Sequence, residues 1–109
     1  MPKRSKLKKP SMRKLLAQWA DEVKERDGYR CRMCGSDKSL NAHHILPKRG
    51  YVETRLDITN GITLCPSCHR LGKNAAHQNC LFFSVWLREK DPDTYDYLVA
   101  KMCGSTKDL

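Results

Sequence analysis

Two pairs of cysteines are spaced in a way that suits metal binding. In each pair two residues separate the thiols, so two thiolates of one tight turn can hold the same ion. Four thiolates complete the tetrahedral donor set of a structural zinc site. The sequence therefore predicts structural Zn²⁺ bound by the four cysteines of these pairs: Cys31, Cys34, Cys65 and Cys68.

The surroundings of these cysteines favour metal over disulfides. No apolar stretch long enough for a signal peptide or a membrane span follows Met1, so we expect a cytoplasmic protein with no membrane partner. Thiols stay reduced in that compartment. A thioredoxin-like redox role would need one pair in a parallel α/β setting. Cys80 and Cys103 fall on predicted helices, and we expect both to be buried apolar side chains.

Three of the four histidines lie between or directly after the cysteine pairs. The stretch between the pairs is longer than the roughly 15–20 residues of a plain zinc ribbon, so it must contain something more. It holds His43 and His44, then Asn60 five residues before Cys65, and His69 and Arg70 directly follow Cys68. This set could hydrolyse a phosphodiester, because an imidazole accepts a proton near neutral pH and imidazoles bind divalent metals.

In the order His-His, Asn, His, with cysteine pairs around them, these residues closely resemble the HNH nuclease family, from about residue 29 to residue 70. The resemblance implies a small α+β fold with a ββα-metal (His-Me finger) core, held together by the four-cysteine zinc site and flanked by helices. In such a core one strand carries the paired histidines, a loop leads to a return strand, and a helix bears the last histidine.

The resemblance also implies a role for each motif residue. His43 and His69 correspond to ligands of a catalytic divalent metal, which could be Mg²⁺, Mn²⁺, Ni²⁺ or Zn²⁺. His44 corresponds to the general base that takes a proton from the attacking water. Asn60 corresponds to the central Asn, which either binds the metal or fixes the loop that orients the base.

The metal ligands beyond His43 and His69 stay open. Asn60, His77, water and a substrate phosphate are all candidates, although His77 lies outside the motif and we expect no role for it. Neighbouring side chains of a strand point to opposite faces, so His43 and His44 can serve one site only if the strand ends, bulges or twists there.

Basic residues predict contact with a phosphate backbone. The net charge is +9, with 21 Lys and Arg against 12 Asp and Glu, and much of the excess lies at the start of the chain. A solvated tail that only keeps the protein soluble explains the arm equally well. The candidate nucleic-acid contacts lie beside the histidine motif and in this arm: Lys48, Arg49, Arg70, Lys3, Arg4, Lys6, Lys8 and Lys9.

The rest of the sequence indicates the elements that must position these residues. Residues 1–10 predict a flexible basic arm, and residues 11–109 a single domain. Within it we expect a helix over residues 11–27 capped by Ser11 and stopped by Gly28, a core over 28–74, and C-terminal helices over 75–109. Strand-like pieces run from Leu40 to Leu46 and from Ile62 to Leu64, and Asp91-Pro92 predicts the start of the last helix.

The sequence thus predicts a metal-dependent DNA endonuclease that nicks DNA or cuts both strands, with little sequence specificity of its own. One alternative is a non-catalytic, zinc-containing module that binds nucleic acid. Another is an accessory nuclease in a phage DNA-packaging machine, with terminase or other packaging components as partners, or in a mobile element. The sequence does not indicate an oligomeric state.

Overall fold

The computed structural model describes residues 9–106 and has the small α+β architecture that the sequence predicts. A helix α1 (Met12–Arg26) precedes a two-stranded antiparallel sheet of β1 (Asn41–His44) and β2 (Gly61–Leu64), and helices α2 (Cys80–Lys90) and α3 (Pro92–Thr106) follow. Short turns of 3₁₀ and π type lie between them. No helix of the described part is long and apolar enough to cross a membrane. Lys3, Arg4, Lys6 and Lys8 lie outside the described residues, so their role stays a prediction, and Lys9 is exposed.

Helix α1 begins and ends where the sequence predicts. The Ser11 hydroxyl accepts a hydrogen bond from the backbone N–H of Lys14 at 3.2 Å and satisfies one of the free donors of the first turn. The helix ends before Gly28, whose φ of 70° is a left-handed conformation that glycine adopts without strain. Trp19 and Val23, one turn apart, are the buried residues of its apolar face.

The β1–β2 hairpin has two covered faces. His43 pairs with Ile62, and His44, the last residue of β1, pairs with Gly61. Because paired residues point to the same side of a sheet, His44 and Gly61 share one face and His43 and Ile62 share the other. Helix α1 packs on the first face, whereas the main hydrophobic core, with Leu64, Phe83 and Leu87, lies on the second.

Gly61 allows α1 to approach the sheet. A Cβ atom at this position would lie 2.5 Å from Val23 Cγ2 and 2.6 Å from Trp19 Cζ2, closer than carbon atoms can pack. The absent side chain therefore lets the indole of Trp19 rest directly on the hairpin beside His44.

Asp27 joins α1 to the sheet and to the first cysteine pair. Its carboxylate, only 2% exposed, accepts hydrogen bonds from Arg26, from Arg32 and from the backbone N–H of Thr63. Burial alone raises the pKa of Asp27, but the hydrogen bonds from Arg26 and Thr63 outweigh burial and hold the pKa below its ordinary value. The folded state therefore stabilises the charged carboxylate.

Helices α2 and α3 form a hairpin that completes the core. The Asn79 side chain caps α2 by accepting from the N–H of Phe82, and Asp91 does the same for α3 at the N–H of Thr94, as Asp91-Pro92 predicts. The prediction that Cys80 and Cys103 are buried is wrong, since both are exposed. Cys80 shares a helix face with Phe83 and Leu87 but lies in the first turn, where that face opens into a cleft. Cys103 lies in α3 beyond its buried Leu98.

We expect Asp27→Asn to lower the free energy of unfolding by about 1–3 kcal/mol, because hydrogen bonds to a buried charge are lost or weakened. A group whose pKa falls on folding contributes stability that is complete above its unfolded pKa and is lost only as the pH falls through its folded pKa. Urea unfolding should therefore show the same loss of unfolding free energy in Asp27→Asn at pH 6 and at pH 8. Asp21→Asn on the exposed face of α1 is the control, and we expect a change within about 0.5 kcal/mol. A cost no larger than that of the control would contradict this role.

Candidate active site

Three histidines meet on the core side of the hairpin. One ring nitrogen from each of His43, His69 and His77 lies within 4.8 Å of the others, which makes the group a candidate metal site. The rings of His43 and His69 contact edge to face with centroids 5.0 Å apart, and those of His43 and His77 do so at 4.9 Å. His43 and His69 are each 8% exposed, whereas His77 is exposed, so the site opens to solvent on the His77 side.

Backbone hydrogen bonds explain why His77 reaches this group. His69 lies in a single π-helical turn (Ser67–Leu71), which begins within the second cysteine pair and stands where the resemblance implies a helix. The chain then folds back so that the N–H of Ala76 donates to the carbonyl of Cys68 and the N–H of His77 to that of His69. The His77 and His69 Nε2 atoms are 3.0 Å apart. The sequence favours no role for His77, whereas the structure brings its ring into this group through a chain reversal that sequence spacing does not reveal.

The three imidazoles are neutral at neutral pH. Burial, followed by the nearby His69 and His77, lowers the pKa of His43 to about 3. Burial, His77 and Arg70 lower the pKa of His69 to about 4, and burial and Arg70 also lower the pKa of His77. A neutral imidazole keeps a nitrogen lone pair for a metal ion, so the group fits a divalent cation.

His44 lies on the opposite face of β1, under α1. Its ring stacks on the indole of Trp19 with centroids 3.8 Å apart and an interplanar angle of 11°. Its Nε2 is 2.9 Å from the backbone carbonyl oxygen of Arg55. Since a carbonyl only accepts, the hydrogen of the neutral ring belongs on Nε2, and Nδ1 is left as a proton acceptor. Burial and the nearby Lys48 lower the pKa of His44, against the opposing effect of the Arg55 carbonyl.

Asn60 fixes the loop between the strands and does not face the histidine cluster. Its side chain is fully buried, accepts from the N–H of Leu46 at 2.7 Å and donates to the carbonyls of Leu46 and Thr54. These bonds occupy both the oxygen and the nitrogen of the amide. Of the two roles that the resemblance leaves open, these hydrogen bonds favour the loop-fixing one over metal binding.

Both faces of β1 contribute to one cleft. It has a volume of about 790 Å³ and is lined by His43, His69 and His77 as well as by His44. The strand remains regular through both histidines and ends at His44. An end of the strand at this point is one of the conditions under which two neighbouring histidines can serve one site. Three basic residues of the predicted phosphate contacts line the same cleft and are exposed: Lys48, Arg49 and Arg70.

The four cysteines of the two pairs form a second, separate cluster. The sulfur atoms of Cys31, Cys34, Cys65 and Cys68 all lie within 4.8 Å of one another, and none of them is in a disulfide. Sulfurs around a tetrahedral zinc ion are roughly 3.8 Å apart, so the spacing fits such an ion. Burial raises the pKa of Cys31, but N–H donors of Cys65, Cys34 and Met33 lower it to about 7. These cysteines could hold a structural metal.

Two contacts of this site have only weak signals in the sequence. His77 is the one remaining histidine and follows His69 by eight residues, which could have suggested a ligand. The stacking of Trp19 on His44 joins residues 25 positions apart, and the helical periodicity of α1 indicates only that Trp19 is apolar and inward-facing.

Comparison with known proteins identifies the central segment. Residues 31–74 match the family described as HNH endonuclease. The chain is also 44% identical over 50 residues to the protein named Anaredoxin from Nostoc sp. strain PCC 7120. This alignment covers 44% of the present chain and 62% of that protein's length. No solved structure is similar enough to the chain to count as a match.

The matched segment contains both cysteine pairs, both strands, and the four motif residues His43, His44, Asn60 and His69. Its two strands and the turn that bears His69 are arranged as a ββα-metal core requires, and its cysteines are clustered as a structural metal site requires. Residues 31–74 of this chain therefore match the HNH endonuclease family both in sequence and in the arrangement of their strands and cysteines.

Proposed function

We propose that the protein is a metal-dependent DNA endonuclease in which His44 is the general base and His43, His69 and His77 bind the catalytic metal. The observation that carries the proposal is the convergence of a three-histidine cluster, a histidine with one free acceptor nitrogen, and three basic side chains on one cleft. Phosphodiester hydrolysis requires a base, a Lewis acid and positive charge beside the phosphate, and this cleft offers residues for each of them.

The donor set indicates which metals the site prefers. Three imidazoles suit Zn²⁺ or Ni²⁺, whereas Mg²⁺ and Mn²⁺ prefer oxygen ligands, and no carboxylate belongs to this cluster among the described residues. When bound, the ion would polarise the phosphate and stabilise the leaving 3′ oxygen. We therefore propose Ni²⁺ or Zn²⁺ as the more effective ions, with Mg²⁺ and Mn²⁺ as weaker alternatives.

The part of His44 in the reaction follows from its hydrogen bond. The Arg55 carbonyl holds the proton on Nε2, so Nδ1 accepts the proton of the attacking water. Because burial keeps the ring neutral at neutral pH, the base is in its active form before the substrate binds. Asn60 acts through the loop, since its amide holds Thr54, the residue that precedes Arg55.

The basic side chains around the cleft suit a nucleic-acid backbone. Lys48, Arg49 and Arg70 offer charge-assisted contacts to phosphate oxygens but no means of distinguishing bases, and the basic arm offers further phosphate contacts. We therefore propose DNA as substrate, with low sequence specificity. One such site cuts one strand at a time, so nicking is the elementary event. The alternatives are a non-catalytic nucleic-acid-binding module and a subunit of a phage packaging machine that cuts only with its partners.

The cysteine cluster is proposed to hold structural Zn²⁺. Its four sulfurs come from two turns that flank the hairpin, and Cys31 and Cys65 belong to the core on the His43 side of the sheet. A metal at this point fixes both ends of the segment that bears the histidines. Binding of the ion therefore contributes directly to the folding of a small domain.

The nuclease proposal predicts that zinc-loaded protein nicks supercoiled plasmid when Ni²⁺ or Zn²⁺ is added, at lower metal concentrations than with Mg²⁺. EDTA should abolish nicking. His44→Asn should lower the rate at least about 100-fold, the usual contribution of a general base, while zinc content and DNA affinity remain. Lys38→Ala, a basic residue outside the cleft lining, is the matched control and should leave the rate unchanged. Tight plasmid binding without cleavage by any metal would favour the binding-module alternative.

The zinc proposal predicts, by elemental analysis, one zinc ion per chain at the cysteine cluster, in addition to any zinc that the three histidines take up. Cys34 is exposed, so replacing its thiol by a hydroxyl costs little through packing, and any large effect of Cys34→Ser reports the lost ligand. We expect Cys34→Ser to lose zinc and to lower Tm by about 10 °C or more. Cys80→Ser, which removes an exposed thiol outside the cluster, should keep the zinc and the wild-type Tm. Iron in place of zinc, or an unchanged Tm in Cys34→Ser, would contradict the assignment.

A further inference from the structure

Trp19 contacts the proposed base from a helix that lies outside the HNH segment. The helical periodicity of α1 indicates only that Trp19 faces inward, and the matched segment begins 12 residues after Trp19. We propose that Trp19 is a positioning residue that holds the His44 ring in the one plane and orientation that leaves Nδ1 as its acceptor. This inference rests on the proposed function of His44 and adds a residue to it.

The first argument is the stacking itself. The two rings are nearly parallel, at 11°, with centroids 3.8 Å apart, so the imidazole cannot tilt toward Trp19 without a clash. Trp19 is 3% exposed and therefore has little freedom to move away. The indole also lies against Gly61, the cross-strand partner of His44, where a side chain as small as alanine would collide with it. The backbone at Gly61 and helix α1 together fix the plane of the indole. The indole in turn fixes the plane of the imidazole.

The second argument is the hydrogen bond of the indole. Trp19 Nε1 donates to the backbone carbonyl of Asp57 at 2.8 Å. Asp57 lies two residues after Arg55, whose carbonyl accepts from His44 Nε2. Trp19 therefore restrains the ring through stacking and restrains the loop that supplies the ring's acceptor. Stacking limits the plane, and the Arg55 carbonyl selects which ring nitrogen carries the hydrogen; neither restraint alone gives a single orientation.

Val23 provides the control that separates positioning from packing. It is fully buried one turn further along α1 and packs against Gly61 as Trp19 does, but it has no aromatic ring that could stack on His44. Val23→Ala therefore removes core packing from the same helix face. If Trp19 acts only through the core, Trp19 and Val23 variants should affect His44 alike.

The test uses full-length, zinc-loaded protein with two independent readouts. Long-range ¹H–¹⁵N correlation spectra, recorded without added catalytic metal, report the His44 tautomer, and single-turnover plasmid nicking at saturating enzyme reports the rate apart from DNA affinity. We expect one tautomer, with the hydrogen on Nε2, in wild type and Val23→Ala. Trp19→Leu should show mixed tautomers and a rate about 100-fold lower at unchanged DNA affinity, because a misplaced group forfeits the advantage of prior orientation. Trp19→Phe, which keeps a ring but loses the N–H, should lose about tenfold in rate.

Wild-type tautomer and rate in Trp19→Leu would overturn the inference. So would an effect of Val23→Ala on His44 as large as that of Trp19→Leu. If Trp19→Leu does not fold, the test rests on Trp19→Phe. A His44 tautomer and a nicking rate equal to those of wild type in Trp19→Phe would then overturn the inference. If even the wild type fails to nick, the nuclease proposal fails, while the tautomer comparison still tests how Trp19 holds the ring.

Discussion

The alternation of side chains along β1 is the constraint on which the rest of the site depends. His43 and His44 are neighbours in a regular strand, so their side chains leave it on opposite faces. In the proposed function one of them binds the metal and the other is the base, and both must act on one substrate. The structure meets this requirement by ending the strand at His44, so that both imidazoles line the same cleft at the end of the hairpin. Each imidazole then needs its own supporting layer.

The two supporting layers differ in chemistry. On the His43 face, the cysteine cluster, the π turn and α2 surround the three histidines, and Phe83 of α2 contacts the His43 ring edge to face. On the His44 face, α1 supplies Trp19, and the Asp27 carboxylate ties the end of α1 to the return strand. In the proposed function the first layer holds the groups that bind an ion, whereas the second orients a single ring. An HNH segment without α1 would lack this second layer.

The loop between the strands connects the layers. Asn60 fixes both of its ends, because one buried amide bonds the backbone of Leu46 at the start and of Thr54 near the end. A buried amide lowers the stability of the fold unless each of its polar atoms is hydrogen-bonded. Other conformations of the loop would break these bonds and are therefore disfavoured. The carbonyl of Arg55 that faces His44 therefore has a defined position, and the tautomer of the base is set by the same interactions that shape the loop.

Local signals in the sequence predicted much of this arrangement. Ser11, Gly28 and Asp91-Pro92 mark helix ends through interactions within a few residues, and the two cysteines of each pair lie within one turn. The inclusion of His77 has only a weak signal in the sequence, because it depends on a chain reversal held by backbone hydrogen bonds of no particular sequence. The position of Trp19 over His44 depends on how α1 docks, which the missing side chain of Gly61 permits. Exposure of Cys80 and Cys103 likewise reflects where the core ends, which helical periodicity does not report.

The central claim is that one cleft brings together a metal on His43, His69 and His77 and a base on the other face of the strand. The most direct test is a crystal structure of zinc-loaded His44→Asn protein with nicked duplex DNA and Ni²⁺, read by anomalous scattering. The account predicts a nickel peak bound by all three histidines, a backbone phosphate bound to that ion, and residue 44 beside the same phosphate. A nickel ion held elsewhere, or a phosphate out of reach of residue 44, would contradict it.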